Sequence, residues 1–354
     1  MSDLRAVHSP LLRRHAPGPV WLLGEEPQPH PDTPERLDAL LAALKVLKLP
    51  VHAPRRFNPE EHWKGVHAWR YVRFLETAHA LWREKGYAGP LRPLIRPRFQ
   101  PAQRARDVRG QAGWHMADDI TPFDEATAFF ARASADVALS AAHMVIEKQA
   151  HTAYALCRPA GRHAGFETMA GFCYVNNAAL AARAFLRAGY ARVALVSLGL
   201  HHAHGTQEIF FDTDRVYTLS VHLDPDHAYP FYTGREHERG RKRGYGFNLN
   251  VPLPRGSDDD VWCGAVDYVC SRLERYRPQA LVLSLGFGMM RGDCPWEGTG
   301  AAEVGLSGLA RMARSLSSLQ RPTVIVQEGG WTPENLERGL TVFLSEWAER
   351  IERT

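Results

Sequence analysis

Cysteine is scarce in this 354-residue chain, and what there is does not pair: Cys157, Cys173, Cys263, Cys270 and Cys294 form no C-x-x-C motif and are odd in number. This argues against a disulfide framework and a zinc knuckle and reads as reduced thiols. No apolar run approaches the ~18 residues of a membrane span. The opening MSDLRAVHSPLLRRHAPGPV has neither a long apolar stretch nor a small-residue cleavage site, so a soluble, cytoplasmic protein without a membrane partner is expected. Charge of one sign is not in excess either: 43 Lys and Arg against 39 Asp and Glu leave a net +4. So mild a balance gives no reason to expect nucleic acid, while anionic ligands stay open. Internal repeats and low-complexity segments are absent, which argues against solenoid and fibrous classes.

What the chain does have is apolar mass, 45% of its residues, enough for one large α/β domain or two smaller ones. From about residue 150, short β-rich runs alternate with helical patterns: TAYALC, VNNAALAARAFLRAG, RVALVSLG, RVYTLSVH, ALVLSLG, GLSGLARMARSLSSL and PTVIVQE. The strand-like runs are continuously apolar rather than alternating, the pattern of strands covered on both faces. A mainly parallel sheet flanked by helices follows. The N-terminal third is more helical. TPERLDALLAALKVL has Thr33 at the N-cap and Arg36 where a capping box would prefer Glu or Gln, and DEATAFFARASADVALSAAHMVIEK is a second helix. Residues 90–113, PLRPLIRPRFQPAQRARDVRGQAG, form a Pro- and Arg-rich stretch too long for an ordinary connection.

Ligand sites in open α/β sheets gather at the carboxyl ends of strands. Four polar clusters fall there: CRPAGRHAG, GLHHAHGTQ, GFGMMRGDCP and EGGWTPEN. The second sets His201, His202 and His204 at the end of a buried strand with no carboxylate beside them, half of a metal site without its other half. Those three with Asp293 carry the right atoms for a rebuilt metal site, but positions i, i+1 and i+3 of such a turn point in diverging directions. A cysteine nucleophile, Cys294 with His163 or His201 as base, is a further metal-free arrangement to weigh against an inert buried thiol.

These segments, in this order and together with HPDTPERLDAL, GFCYVNNAALAA and YPFYTGREHERGRKRGYGFNLNVPLP, resemble the histone deacetylase superfamily, most closely its acetylpolyamine amidohydrolase branch. The resemblance covers most of the chain. It implies a single arginase/deacetylase-type α/β domain over residues 1–354, with 90–113 as a loop insertion near the substrate mouth, and an activity that hydrolyses acyl-amides with one zinc ion. Carried over residue by residue, however, the family's site is incomplete. Its Asp-x-Asp-x-His-His-Gly motif, whose second Asp and first His bind zinc, reads Ser197-Leu198-Gly199-Leu200-His201-His202-Ala203. The third ligand, an Asp, is Gly288. The tandem His pair that serves the metal-bound water reads Arg162-His163, and the Gly-Gly-Tyr whose phenol polarises the scissile carbonyl reads Gly329-Gly330-Trp331. Phe172 and Tyr229 match the aromatic pair that walls the substrate tunnel. Phe210, Thr213, Val216 and Phe247 match positions that hold a structural K⁺ or Na⁺ through main-chain oxygens.

A catalytic zinc needs three protein ligands and an open position; Gly199 and Gly288 offer no ligand atom, leaving only His201 of the degenerate set. No zinc is expected. Arg162 cannot lose its proton and needs an acceptor, either Glu328, Asp293 or main-chain carbonyls, or an anionic ligand. Arg162 and Ser197 look like two members of a dyad replaced together. The arginines of the long segment, Arg92, Arg96, Arg98, Arg104, Arg106 and Arg109, are expected to rim the mouth in support of an anion. The reading is a metal-free pseudoenzyme, or a repurposed protein, that binds a small anionic ligand in the former tunnel among Arg162, His163, Phe172, His201, Tyr229, Gly288 and Trp331. His163 is its catalytic candidate and the 90–113 loop a candidate homodimer contact. The alternative is a deacylase of acylated amines with an atypical site. Restoring Asp at 199 and 288 is expected to regain zinc.

Overall fold

The computed structural model describes residues 3–21, 26–97, 105–294, 296 and 300–352. Its centre is an eight-stranded sheet in which every neighbouring pair is parallel. From one edge to the other run β2 (Val51–His52), β1 (Leu4–Val7), β3 (Thr152–Ala155), β10 (Thr323–Gln327), β8 (Ala280–Leu285), β4 (Val193–Leu198), β5 (Val216–Leu223) and β6 (Asn248–Leu253). A two-stranded parallel ribbon, β7 (Ser257–Asp258) with β9 (Ala302–Glu303), stands apart. Each of the five strand runs read from the sequence is a strand here, and every residue of β3, β4, β5, β8 and β10 is buried, as two-sided cover requires.

That cover comes from two helical layers. Thr127–Ile146 lies over β1, β3 and β10, and Asn177–Arg187 beside it over β4 and β8. In a second layer, Pro34–Val46 packs on Pro333–Glu352, which packs on Leu306–Ser317, which packs on Asp259–Tyr276. Thr127–Ile146 is long and apolar enough by composition to cross a membrane, but most of it is buried in this core. Among the described residues it is the one helix of that kind.

Strand order explains why four loops converge. β3, β10, β8 and β4 are consecutive in the sheet and parallel, so the segments that follow them, beginning at Leu156, Glu328, Gly286 and Gly199, leave from one edge side by side. A buried ionic lock ties this edge to the N-terminal segment. Asp32 accepts from Arg36 Nη1 and from Arg158 Nε at 2.8 Å, and Arg158 also reaches Leu12 O and Asp32 O, both at 2.7 Å. Arg36 in turn donates to Gly330 O and, at 3.0 Å, to Glu328 O. Thr33 does sit at the N-cap, but its side chain makes no capping bond; Arg36, at the capping-box position, is turned inward to this network.

Burial opposes ionisation of Asp32, but the charges of Arg36 and Arg158 outweigh it and hold the carboxyl well below its ordinary range. Removing the shared acceptor from two buried cations costs on the order of 3–5 kcal/mol. Asp32→Ala is therefore expected to lower the urea-unfolding midpoint by about that equivalent, whereas Asp38→Ala, which removes an exposed partner of Arg13, should cost less than ~1 kcal/mol.

Candidate functional site

The converging loops enclose a cavity of about 290 Å³, and all seven residues expected in the pocket line it: Arg162, His163, Phe172, His201, Tyr229, Gly288 and Trp331. Glu328 lines it too, as do Asp118, Phe231 and Trp296, which sequence reasoning missed. None of these three stands in a segment that signals a strand end.

Arg162 forms the floor. Its main chain is pinned by Glu328, whose Oε2 accepts from Gly161 N at 2.8 Å and Arg162 N at 3.2 Å while Oε1 accepts from Ser284 Oγ at 3.0 Å. The guanidinium goes elsewhere. Nε donates to His163 Nε2 at 3.3 Å, and Nη1 is buried with no hydrogen-bond partner. A Cβ placed on Gly199 would lie 2.2 Å from Nη1, and one on Gly286 would lie 3.4 Å away. The guanidinium thus occupies the space of the missing side chain, and a side chain at 199 would have to displace it. No ion pair joins the guanidinium to a described carboxylate, and Glu328 serves the amide instead. Burial lowers the Arg162 pKa, with the charge of Glu328 pulling the other way; burial likewise raises Glu328 against Arg162 and its N–H donors. A guanidinium keeps its proton regardless.

This contact dictates the tautomers that follow. Because Arg162 only donates, His163 Nε2 must accept, so the proton of His163 sits on Nδ1 and is donated to His204 Nδ1 at 3.2 Å. The two rings stack with centroids 5.0 Å apart. Burial, and next the charge of Arg162, holds His163 well below its usual pKa, and burial alone dominates for His204, lowered to about 4. Both imidazoles are neutral near pH 7. His201 turns toward the cavity beside Tyr229, with centroids 6.0 Å apart, while His202 turns away onto His222 at 4.6 Å. His202 diverges as expected, whereas His201 and His204 both lie against the rings of His163 and Tyr229.

Asp293 does not meet them. Its carboxylate accepts from Trp331 N at 2.9 Å and Thr332 N at 3.1 Å, at the start of the helix Pro333–Glu352, and burial pushes it up to about 6 against those donors. The Cys294 thiol is buried.

Trp331 takes the remaining space. Its Nε1 lies 4.0 Å from a Cβ on Gly288, and its ring is edge-on to Phe172 at 5.7 Å and 5.1 Å from Trp296. Arg36 stacks on it at 4.7 Å. Tested against zinc, the residues do not fit: positions 199 and 288 carry no ligand atom, a fixed cation fills the first and an indole overhangs the second. Among the described residues no group of three or more His, Cys, Asp or Glu is placed to hold a metal ion. Tyr229 Oη donates to Asp118 at 2.8 Å.

Of the arginines in the 90–113 stretch, none of the described ones lines the cavity: Arg92 lies over Trp21, Arg96 pairs with Asp119 and Arg109 with Asp107, and Arg106 is not among the lining residues, while Arg98 and Arg104 fall outside the described residues. An Asp restored at 199 would have to displace the Arg162 guanidinium from the space it occupies. At the expected cation positions, Thr213 N donates to Phe210 O at 3.2 Å and Thr218 N to Phe247 O at 3.1 Å, and Val216 opens β5.

The close contact makes a graded prediction. Gly199→Ala is expected to cost about 1–3 kcal/mol of stability by overpacking. Gly288→Ala, whose Cβ meets Leu200 Cβ at an ordinary 3.4 Å, should stay within about 0.5 kcal/mol. In an Arg162→Ala background the Gly199→Ala penalty should disappear; equal penalties in both backgrounds, measured by urea denaturation, would refute the contact.

The histone deacetylase domain family matches residues 30–347. The acetylpolyamine amidohydrolase of Burkholderia pseudomallei is 39% identical over 329 residues, 93% of this chain and 94% of that one. Acetylpolyamine amidohydrolase 1 of Pseudomonas aeruginosa is 37% identical, over 87% and 88% of the two chains. A crystal structure of the Burkholderia pseudomallei acetylpolyamine aminohydrolase superposes with a TM-score of 0.90, covering 97% of this chain and 98% of that one. The arginase/deacetylase-type α/β fold expected from the sequence is therefore present, and the chain belongs to the histone deacetylase family.

Proposed function

We propose that this protein is a metal-free, non-hydrolytic member of its family that binds a small anion on the floor of the former tunnel, with Arg162 standing in for the metal as the fixed positive charge. One observation carries the reading: a guanidinium 5% exposed, lining a cavity, with a donor that has no partner and no carboxylate in ion-pair contact. An uncompensated buried cation costs several kcal/mol, and an anion in the cavity offsets that cost. The arrangement lacks what hydrolysis would need from it. The Nε2 lone pair of His163 is engaged by Arg162, its Nδ1 proton by His204, and no phenol stands at position 331. Deacylation of acylated amines is supported by the names of the relatives, but here it would have to proceed without a free base at His163. A structural K⁺ or Na⁺ on the main-chain oxygens of Phe210, Thr213, Val216 and Phe247 is compatible with this reading, since those oxygens do not depend on side-chain identity.

The test is a melting series in chloride, acetate and phosphate. Wild type is expected to be stabilised by a bound anion, by about 2.7 kcal/mol at a hundredfold excess over its Kd. Arg162→Met should lose that response. It should also be as stable as unliganded wild type or more so, because an apolar side chain replaces an unpaired charge. A wild type that no anion stabilises, or an Arg162→Met variant that responds as wild type does, would refute anion binding.

A further inference from the structure

Resting on that anion-binding reading, we infer that the ligand is an aromatic monocarboxylate, its carboxylate against Arg162 and its ring against the wall formed by Phe172, Trp296 and Trp331. Charge sets the first half. Among the described residues lining the cavity, Arg162 is the sole Lys or Arg, and two carboxylates, Asp118 and Glu328, line it as well. A phosphate dianion would bring a second negative charge beside the buried Glu328 with no second cation to meet it. A monoanion matches the single charge. Donors are at hand too: the guanidinium has an unpartnered buried N–H group, and Trp331, which carries an indole N–H, lines the same cavity.

The walls set the second half. Phe172 meets Trp296 and Trp331 edge to face, with centroids 6.5 Å and 5.7 Å away, and the two indoles are tilted against each other at 5.1 Å, so that the three form one continuous aromatic surface. Leu200 and Phe231 add apolar area. A flat ring stacking on such a surface gains offset-stacked or edge-to-face contact beyond simple burial. An ammonium, which aromatic walls also attract, is disfavoured here because Arg36 already lies 4.7 Å over the Trp331 ring and Arg162 shares the cavity. Size permits the ring: benzene fits a cavity of about 150 Å³, and this one is about 290 Å³.

Isothermal titration of the full chain with benzoate and phenylacetate, against acetate, hexanoate, inorganic phosphate and benzamide, decides the matter. Benzoate or phenylacetate is expected to bind at least about tenfold tighter than acetate and hexanoate, with phosphate and benzamide weaker still. In Trp296→Ala the ratio of aryl to acetate affinity should collapse toward one, and in Trp296→Leu, which keeps apolar bulk and guards against misfolding, it should fall part of the way. Acetate, hexanoate or phosphate binding as tightly as benzoate would overturn the ligand class and leave anion binding standing. Benzamide binding as tightly as benzoate, or no carboxylate binding at all, would overturn both.

Discussion

The guanidinium of Arg162 lies where the first atom of any side chain at position 199 would have to be. Much of the pocket follows from that one contact. It fills the space a side chain on the strand end would take, it forces His163 to accept and so places the imidazole protons down to His204, and it sets a permanent positive charge at the bottom of the cavity. Each of these is a consequence of a donor-only, always-charged group in a dry place.

The contrast with the molecule's other buried arginines is instructive. Arg36 and Arg158 share Asp32 and spend their remaining donors on main-chain carbonyls, so their charge is answered within the fold and they brace the loops around the site. Arg162 stands on the same sheet edge without such an answer. The carboxylate whose charge it feels, Glu328, is consumed by two amides and a hydroxyl. A buried charge without an ion-pair partner is the physical ground for placing a ligand there.

How much of this was legible in the sequence depended on the kind of signal. The central strands were, because two-sided burial writes continuous apolar runs such as VALVSL and ALVLSL. β1, β2 and β6 were not read as strands: β1 and β2 are only four and two residues long, and β6 is half-buried at the other edge and carries Pro252, tolerable only there. The pocket residues were legible because the four loops belong to adjacent parallel strands. What Arg162 does with its guanidinium was not. The residue types suggested Glu328, Asp293, main-chain carbonyls or an anion as its acceptor, but a hydrogen bond to the neighbouring His163 and occupation of the space a Cβ at 199 would fill depend on side-chain direction, which residue types do not encode. Trp296 and Asp118 reach the cavity from segments with no strand-end signature, so no pattern pointed to them.

The central claim is that a fixed guanidinium has replaced the metal, and metal content tests it most directly. The full chain, purified from zinc-supplemented cells and dialysed against metal-free buffer, is to be analysed for zinc per chain by elemental mass spectrometry, alongside the Gly199→Asp, Gly288→Asp, Arg162→His triple variant. The account predicts far less than one zinc per wild-type chain, unchanged by a chelator. One tightly held zinc per wild-type chain, removed only by a chelator, would contradict it.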